Sequence, residues 1–399
     1  MTALPPMPPL GEDELAAWLH LLHSEGVGRD TARRLLAHFG SPQAAVAAGP
    51  AELAGLVSAK VALALAKPPN GHAQRLAKTL AWRNAAPARR LMVLGDADYP
   101  PLLLHSADPP LLLYLQGRVA LLSARSVAIV GSRQASAQGL DNARAFARTL
   151  ARSGWAIVSG LAAGIDAAAH QGALDADAEG GAGTLAVVGT GVDRIYPRSH
   201  QALTQRIAER GLLVSELALG TPPLAPNFPQ RNRLIAGLSR GTLVVEAALR
   251  SGSLITARLA AEAGREVMAL PGSLLAPQSH GCHALIRQGA ALVVSAEQVL
   301  DELNGLPALS LLNALAEPPT PAGASIPIGP APVATTTPAA ATEDDAVLRA
   351  LGHDPLSLDA LINRCGWPAP TLTAHLLTLE LDGRVARLPG GLYQRRQAS

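Results

Sequence analysis

Cysteine is nearly absent from this sequence, which contains only Cys282 and Cys365 among 399 residues. The two lie in segments that we predict to be different domains, so they support neither a disulfide framework nor a zinc site. Long hydrophobic runs are absent as well, because Gly, Pro or a charged residue interrupts each one before it reaches membrane-spanning length. Residues 1–10 are proline-rich and lack the basic-then-apolar pattern of a secretion signal. We therefore expect a cytoplasmic protein without a membrane segment.

A strong excess of either charge is also lacking, since 33 Lys and Arg face 31 Asp and Glu, for a net charge of +2. Any contact with phosphate must therefore come from a local patch rather than from the whole surface. No G-x-G-x-x-G follows a predicted strand, and neither a P-loop motif nor H-E-x-x-H occurs. These absences disfavour a dinucleotide, ATP hydrolysis and a catalytic zinc. We expect no cofactor and no metal.

What the sequence does contain, from position 126 to about position 303, is a regular alternation of short apolar strands and helical segments. The predicted strands are residues 127–130, 155–159, 185–188, 212–215, 243–245, 267–270 and 291–294. Their uniformly apolar composition is typical of parallel strands that are covered on both faces. The pattern predicts an α/β fold built on a doubly wound, Rossmann-like sheet.

The flanking segments divide the chain into four predicted parts. Residues 1–88 form a small all-α domain of the helix-hairpin-helix or SAM-like kind, and 89–304 form the sheet domain with an extended lead-in. Residues 305–342 are a linker rich in Pro, Ala and Thr. Residues 343–399 have the outline of a winged helix, with three helices followed by a β-hairpin.

Two details of these flanks carry further expectations. The turn Gly26-Val27-Gly28 either presents N–H groups to a DNA phosphate or is an ordinary turn of a helical bundle, and we favour the second. In the lead-in, residues 91–122, prolines forbid a helix and suggest edge strands. We expect Tyr99 and Tyr114 to pack there.

Loops rich in Gly, Ser, Thr and Arg follow most of the predicted strands. In an open parallel sheet, ligands bind outside the carboxyl ends of the strands. Small residues let the backbone approach a ligand, hydroxyl and N–H groups bind phosphate oxygens, and arginine neutralises their charge. Five such loops, among them a long loop over residues 227–233, predict a site for a polyphosphate or a nucleic-acid backbone. The candidate residues are Gly131, Ser132, Arg133, Ser159, Gly160, Gly164, Thr190, Gly191, Tyr196, Arg198, Phe228, Arg231, Asn232, Arg233, Arg250 and Ser251.

Two pairs of residues in these loops admit two interpretations each. Tyr196 and Phe228 lie beside arginines in a chain with only 3% aromatic residues. Such a pair either stacks the bases of a single strand or packs in the core. Asp166 and His170 are four apart on one helix, where they form either an acid–base pair or a polar cluster that orients the glycine loop. We favour the polar cluster.

Several segments together resemble the DNA-processing protein A family, also called Smf. They include VAIVGSR at 127–133, SGLAAGIDAAAH at 159–170, VGTGVDRIYP at 188–197, NFPQRNRLIAGLS at 227–239 and GCHALIRQGA at 281–290. The resemblance implies a Rossmann-like core that binds single-stranded DNA without sequence preference and is not an enzyme. It also implies a homodimer through this core, and a role in natural transformation in which the protein protects incoming strands and helps to load the RecA recombinase.

Carried over by position, the resemblance implies that Arg133 and Arg198 are the leading phosphate contacts. Family members often have lysine at the second place, so arginine keeps the charge but changes the geometry. Ser159, Gly160, Arg231 and Arg233 are expected to line the same pocket. Residues 283–294 are expected to belong to the dimer and recombinase surface.

Two other functions compete with this interpretation. The segment from Gly241 to Glu246 is similar to the Gly-Thr-Glu signature of nucleoside-monophosphate phosphoribohydrolases, although Arg240 stands where those enzymes have Pro-Gly-Gly. The alternative is therefore a nucleotide-processing enzyme on a related fold. A third possibility is an adaptor that acts through the winged helix. The third helix of that domain carries little positive charge, so we favour a protein-interaction or auxiliary role for it.

Overall fold

The computed structural model describes residues 10–305, 343–352, 355–388 and 391–395. The predicted linker, residues 305–342, lies almost wholly outside the described residues, as does part of the predicted turn 389–391. The chain forms two compact units. The first comprises residues up to Ala296 except for two short segments, Ser136–Gln138 and Ser273–Ala276, which belong with Glu297–Ser399 in the second.

The first unit begins with helices. They are α1 (Glu12–His23), α2 (Arg29–Phe39), α3 (Pro42–Ala47), α4 (Pro50–Leu53), α5 (Ala59–Leu65) and α6 (His72–Asn84). Helix α2 starts directly after Gly28 and ends at Gly40, whose φ of +76° is the left-handed conformation that glycine tolerates best. Buried residues of these helices, among them Leu15, Trp18 and Leu35, share one hydrophobic core with one face of the sheet that follows.

The sheet has nine described strands. They are β1 (Arg89–Val93), β2 (Leu112–Gly117), β3 (Ser126–Val130), β4 (Ala156–Ser159), β5 (Thr184–Val187), β6 (Leu212–Ser215), β7 (Gly241–Val244), β8 (Glu266–Ala269) and β9 (Ala291–Leu292). Their order is β1-β2-β6-β5-β4-β3-β7-β8-β9. All pairs from β6 to β9 are parallel, whereas β1–β2 and β2–β6 are antiparallel. The predicted doubly wound, Rossmann-like sheet is confirmed.

Helices accompany the strands. They are α7 (Pro101–Leu104), α8 (Ala137–Arg152), α9 (Ile165–Asp177), α10 (Gln201–Arg210), α11 (Asn227–Leu238), α12 (Ser253–Glu262) and α13 (His280–Arg287). The next helix, α14 (Ala296–Gly305), belongs to the second unit except for its first residue. The chain winds from β3 to β6 in one direction along the sheet and from β7 to β9 in the other. The direction of winding therefore switches between β3 and β7, which is where open α/β sheets bind ligands.

The lead-in differs from its prediction in two respects. A short helix, α7, starts at Pro101, because proline at the first helical position loses an N–H that would have no partner there in any case. Strand β2 lies between β1 and β6 rather than at the edge. Tyr99 and Tyr114 are buried as expected, and the Tyr99 hydroxyl donates to the Pro110 carbonyl at 2.8 Å.

The second unit contains α15 (Glu343–Leu351), β10 (Leu356–Ser357), α16 (Leu358–Cys365), α17 (Ala369–Leu381), β11 (Val385–Leu388) and β12 (Leu392–Arg395). The strands form a small sheet in the order β10-β12-β11. Apolar residues from the three helices and the hairpin, including Leu348, Leu361, Leu376 and Tyr393, form its core. The predicted winged helix is confirmed.

Candidate functional site

The turn after β3 is held in place by backbone bonds on both sides. The N–H of Ser132 donates to the Glu246 carbonyl at 2.7 Å, and the Ser132 carbonyl accepts from the N–H of Ile165, the first residue of α9, at 3.1 Å. A Cβ at Gly131 would lie 2.6 Å from the Ile165 side chain, so only glycine fits there. The turn therefore fixes the backbone from which the exposed Arg133 side chain projects.

The loop after β4 is ordered by polar side chains from α9. Asp166 accepts from the backbone N–H of Gly160 at 3.1 Å and of Ala162 at 3.3 Å. Leu161 has a positive φ of 57°, an unusual conformation for a branched residue. Its N–H donates to Nε2 of His170 at 3.3 Å. This geometry favours the interpretation of Asp166 and His170 as a cluster that orients the loop.

His170 is fully buried and is held as a neutral imidazole. Its Nδ1 lies 2.8 Å from the Thr184 hydroxyl, and that hydroxyl donates to the Ile157 carbonyl. The hydroxyl therefore accepts from Nδ1–H, which leaves Nε2 as the acceptor for Leu161. Burial, with the nearby charges of Arg231 and His200, lowers the pKa of His170 to about 3.

The lowered pKa of His170 predicts that stability falls on acidification. Between the ordinary pKa of about 6.5 and the folded value of about 3, the unfolded chain binds a proton that the folded chain refuses. The contribution of the neutral His170 to the unfolding free energy is therefore fully present above that window and is lost as the pH falls through it. When the pH is lowered from 7 to 5, the unfolding free energy of the unaltered protein should fall by about 2 kcal/mol more than that of His170→Gln. Urea titrations at both pH values check this, and parallel losses in the two proteins would contradict it.

Arg231 lies behind the loop with 6% of its surface exposed. One guanidinium nitrogen, Nη1, donates to the carbonyls of Gly160 and Val187. Burial lowers the pKa of Arg231 to about 10, while the nearby carboxylate of Asp166 opposes the shift. The residue is therefore charged at neutral pH and places a fixed cation at the base of the site.

Two aromatic rings stand beside Arg133. The rings of Tyr196 and Phe228 are 5.4 Å apart between centroids, and the guanidinium of Arg133 lies 5.6 Å from the Phe228 centroid. Tyr196 is 44% exposed, so it is not a core residue. The arrangement offers an apolar face next to a cation, as a stacked base with its phosphate requires.

These groups surround a cavity that opens into a groove. The inner cavity, of about 80 Å³, is lined by residues 160–163 and 188–190, by both aromatic rings and by Arg133 and Arg231. Among the described residues, the backbone N–H groups of Ala163, Gly189 and Thr190 have no acceptor. The adjoining groove, of about 790 Å³, extends between the loops after β3 and β7. Free N–H groups and two arginines make the cavity suitable for an anion such as phosphate.

The structure brings most of the predicted residues together. Those that line the cavity or the groove are Gly131, Ser132, Arg133, Gly160, Thr190, Tyr196, Phe228, Arg231, Asn232, Arg250 and Ser251. Gly164 instead lines a second groove on the other side of Arg133, where a Cβ would collide with the Ser132 carbonyl. Gln134 lines both grooves and was missed, although it directly follows the predicted turn.

The remaining four predicted residues line neither the cavity nor either groove. Ser159 is fully buried and its hydroxyl donates to the Ile129 carbonyl at 2.7 Å. Gly191 donates its N–H to the Thr221 carbonyl at 3.0 Å. Arg198 is exposed at the start of a 3-10 turn, Arg198–His200. The segment 227–233 is the start of helix α11 and not the predicted long loop. Arg233 therefore points to the side of α11 opposite Arg231.

Arg233 belongs to a cluster of charges that joins α11 to α2. It forms ion pairs with Glu216 and with Asp108, and Asp108 also pairs with Arg29 and Arg33. Burial alone would raise the pKa of Asp108, but the three guanidinium groups lower it. Two of the three arginines of α2, Arg29 and Arg33, are therefore paired with a carboxylate of the same chain, which favours the structural interpretation of the Gly26-Val27-Gly28 turn.

Glu246, the residue that motivated the enzymatic alternative, is not among the residues that line these cavities. Its carboxylate lies against α8, since a Cβ at Gly139 would be 2.4 Å from the carboxylate carbon. Among the described residues, no group of three or more His, Cys, Asp or Glu side chains could hold a metal ion. Within the same residues, no helix has both the length and the apolar composition that crossing a bilayer requires.

Three family models match the chain in succession. A model described as DprA-like N-terminal HHH domain matches residues 12–65, one for DNA recombination-mediator protein A matches 90–304, and one for the DprA winged helix domain matches 330–391.

Individual relatives agree with these matches. Protein Smf of Escherichia coli (strain K12) is 39% identical over 96% of both chains. The X-ray structure of DNA processing protein A from Streptococcus pneumoniae is 35% identical, with a TM-score of 0.62 over 74% of this chain and 99% of that one. A Helicobacter pylori DNA processing protein A, described for its single-stranded DNA binding mode, is 31% identical, with a TM-score of 0.48 over 54% of this chain and 96% of that one.

Proposed function

Since this chain belongs to the DNA recombination-mediator protein A family, we propose that it binds single-stranded DNA without sequence preference and without catalysing a reaction on it. The observation that carries the proposal is the meeting of Arg133 and Arg231 with Tyr196 and Phe228 around one cavity. Two cations with free N–H groups suit phosphate, and two aromatic rings suit any base. The Helicobacter pylori relative is described as binding single-stranded DNA, and we propose the same ligand class here on the strength of the cavity.

The shape of the site favours a strand over a free nucleotide. A mononucleotide needs one compact pocket, whereas here the cavity opens into a groove about ten times larger in volume, 790 against 80 Å³. Arg250 and Asn232 lie along that groove. A polymer can occupy the cavity with one nucleotide and the groove with its neighbours, which favours a nucleic-acid ligand over the nucleotide of the enzymatic alternative.

A titration against single-stranded and duplex oligonucleotides tests the proposal. We expect the affinity for single strands to fall steeply with salt concentration and to be insensitive to sequence, because phosphate and stacking contacts carry it. Duplex affinity should be weaker, since paired bases cannot reach the rings. Equal affinity for both forms would contradict the proposal. Release of a free base from nucleoside monophosphates in a parallel incubation would support the hydrolase instead.

The finer role that we propose is the one implied by the family resemblance. In it, a homodimer joined through the sheet domain protects incoming strands in the cytoplasm and helps to load the RecA recombinase during natural transformation. The winged helix then has a protein-interaction or auxiliary role. Strand-dependent ATP hydrolysis by RecA, on DNA first coated with single-strand-binding protein, measures loading directly. If the protein does not shorten its lag phase, the mediator role fails while strand binding stands.

A further inference from the structure

Six arginines surround three carboxylates that lie on α9 or directly after it; five of the arginines are on α8 and α10, and the sixth, Arg118, directly follows β2. Glu179 is shared by Arg148 and Arg152. Asp175 is shared by Arg144 at 2.6 Å and Arg206 at 3.7 Å, and Asp177 by Arg118 at 2.7 Å and Arg210 at 3.0 Å. Each carboxylate thus neutralises one of its two partners, and the group keeps an excess of positive charge.

Three of these arginines form a row along one helix. Arg144, Arg148 and Arg152 are four residues apart on α8, so they lie on one face and span about 12 Å. Between 44% and 56% of each side chain is exposed. An exposed guanidinium that shares its carboxylate still has donors free for another anion. We call these three residues the arginine row.

A second groove leads from the candidate site to the arginine row. Its volume is about 370 Å³. Arg133 and Gln134 line both this groove and the groove of about 790 Å³ beside the cavity. The small residues Gly164, Ala167 and Ala168 also line the second groove, and so does Arg144. Arg133 therefore stands between two grooves, and a chain passing over it meets the first arginine of the row.

We propose that the arginine row binds the phosphate backbone of the same DNA strand after it has left the cavity past Arg133. This inference rests on the proposed function and extends it, because it assigns a second contact surface and a direction to the strand. Acidic residues are present along this path, since Asp141 lines the second groove and Glu209 lies on α10. The arginines still outnumber the carboxylates, and the three of the row lie in one line.

The test compares oligothymidylates of two lengths, about 5 and about 20 nucleotides, of which only the longer can reach beyond the pocket. For Arg148→Ala/Arg152→Ala, we expect a threefold to tenfold loss of affinity for the longer strand. The slope of log affinity against log salt should fall by about 1.4, that is, by about 0.7 for each lost contact on a single strand. Affinity for the shorter strand should not change.

A gain-of-affinity variant excludes misfolding as the explanation. Glu179→Gln removes the carboxylate shared by Arg148 and Arg152, so it should raise the affinity for the longer strand and steepen its salt dependence. The matched controls are Arg258→Ala and Glu262→Gln, which alter an exposed ion pair on α12. Neither control should change binding of either oligonucleotide.

Three outcomes would overturn the inference. The first is an unchanged affinity and salt slope for the longer strand in the double variant, and the second is an equal loss for both lengths. In either case the proposed function stands if Arg133→Ala weakens binding of both oligonucleotides. The third is that the unaltered protein binds neither oligonucleotide, in which case the proposed function fails together with this inference.

Discussion

Arg133→Ala should weaken single-strand binding by about tenfold to a hundredfold, because a charge-assisted contact contributes about 1.5–3 kcal/mol. The loss should be the same for every sequence, since the contact that we propose for Arg133 is with phosphate rather than with a base edge. It should also lower the salt slope by about 0.7. Fluorescence anisotropy over a range of salt concentrations measures both effects.

Arg133→Lys provides the conservative comparison. Lysine keeps the charge but not the planar fork that stacks on Phe228, so the salt slope should persist while part of the affinity is lost. Stability should change little in either variant, because Arg133 is exposed. If Arg133→Ala binds as tightly as the unaltered protein, the site is assigned to the wrong edge of the sheet.

Among the variants that we propose, Arg231→Met should lower the unfolding free energy most. The substitution leaves the carbonyls of Gly160 and Val187 without their donor and leaves Asp166 as a buried carboxylate without its nearby cation. Breaking a buried charge arrangement in this way costs about 3–5 kcal/mol. Urea unfolding followed by circular dichroism gives the difference in unfolding free energy.

A second substitution tests the cause of that loss. Asp166→Asn keeps an oxygen that accepts from Gly160 and Ala162 but removes the buried charge, so Arg231→Met/Asp166→Asn should be more stable than Arg231→Met alone. If the loss in the double variant equals the sum of the losses in Arg231→Met and Asp166→Asn measured singly, the charge of Asp166 is not what Arg231 compensates. A loss below about 1 kcal/mol in Arg231→Met would show that the buried guanidinium is not required for folding.

The two arginines show how far the sequence alone leads. Both belong to segments that end up at the switch point of the sheet, and both were expected to bind phosphate. Arg133 projects from a glycine turn and is exposed, whereas Arg231 is 6% exposed and bonds to two backbone carbonyls. Charge and position in a motif did not distinguish the exposed arginine from the buried one, because burial depends on which helix covers the loop.

Arg233 illustrates a different limit. Residues 227–233 were expected to be a loop, in which successive arginines could all reach one pocket. The segment is the beginning of α11, and residues two apart on a helix point to nearly opposite sides. Arg231 therefore faces the cavity, and Arg233 faces Asp108 and Glu216. A helix predicted over these residues would have placed Arg231 and Arg233 on different sides of it.

By itself, the sequence determined the doubly wound sheet, the winged helix and the edge at which the glycine loops meet. These features follow from local patterns, since apolar runs specify buried parallel strands and the carboxyl ends of such strands share one edge. The tertiary structure alone decided which polar side chains face that edge and which hold it in place. Ser159, Arg231 and Arg233 took up framework contacts because buried carbonyls and carboxylates require partners. Those partners are far away in the sequence and become neighbours only when the helices pack on the sheet.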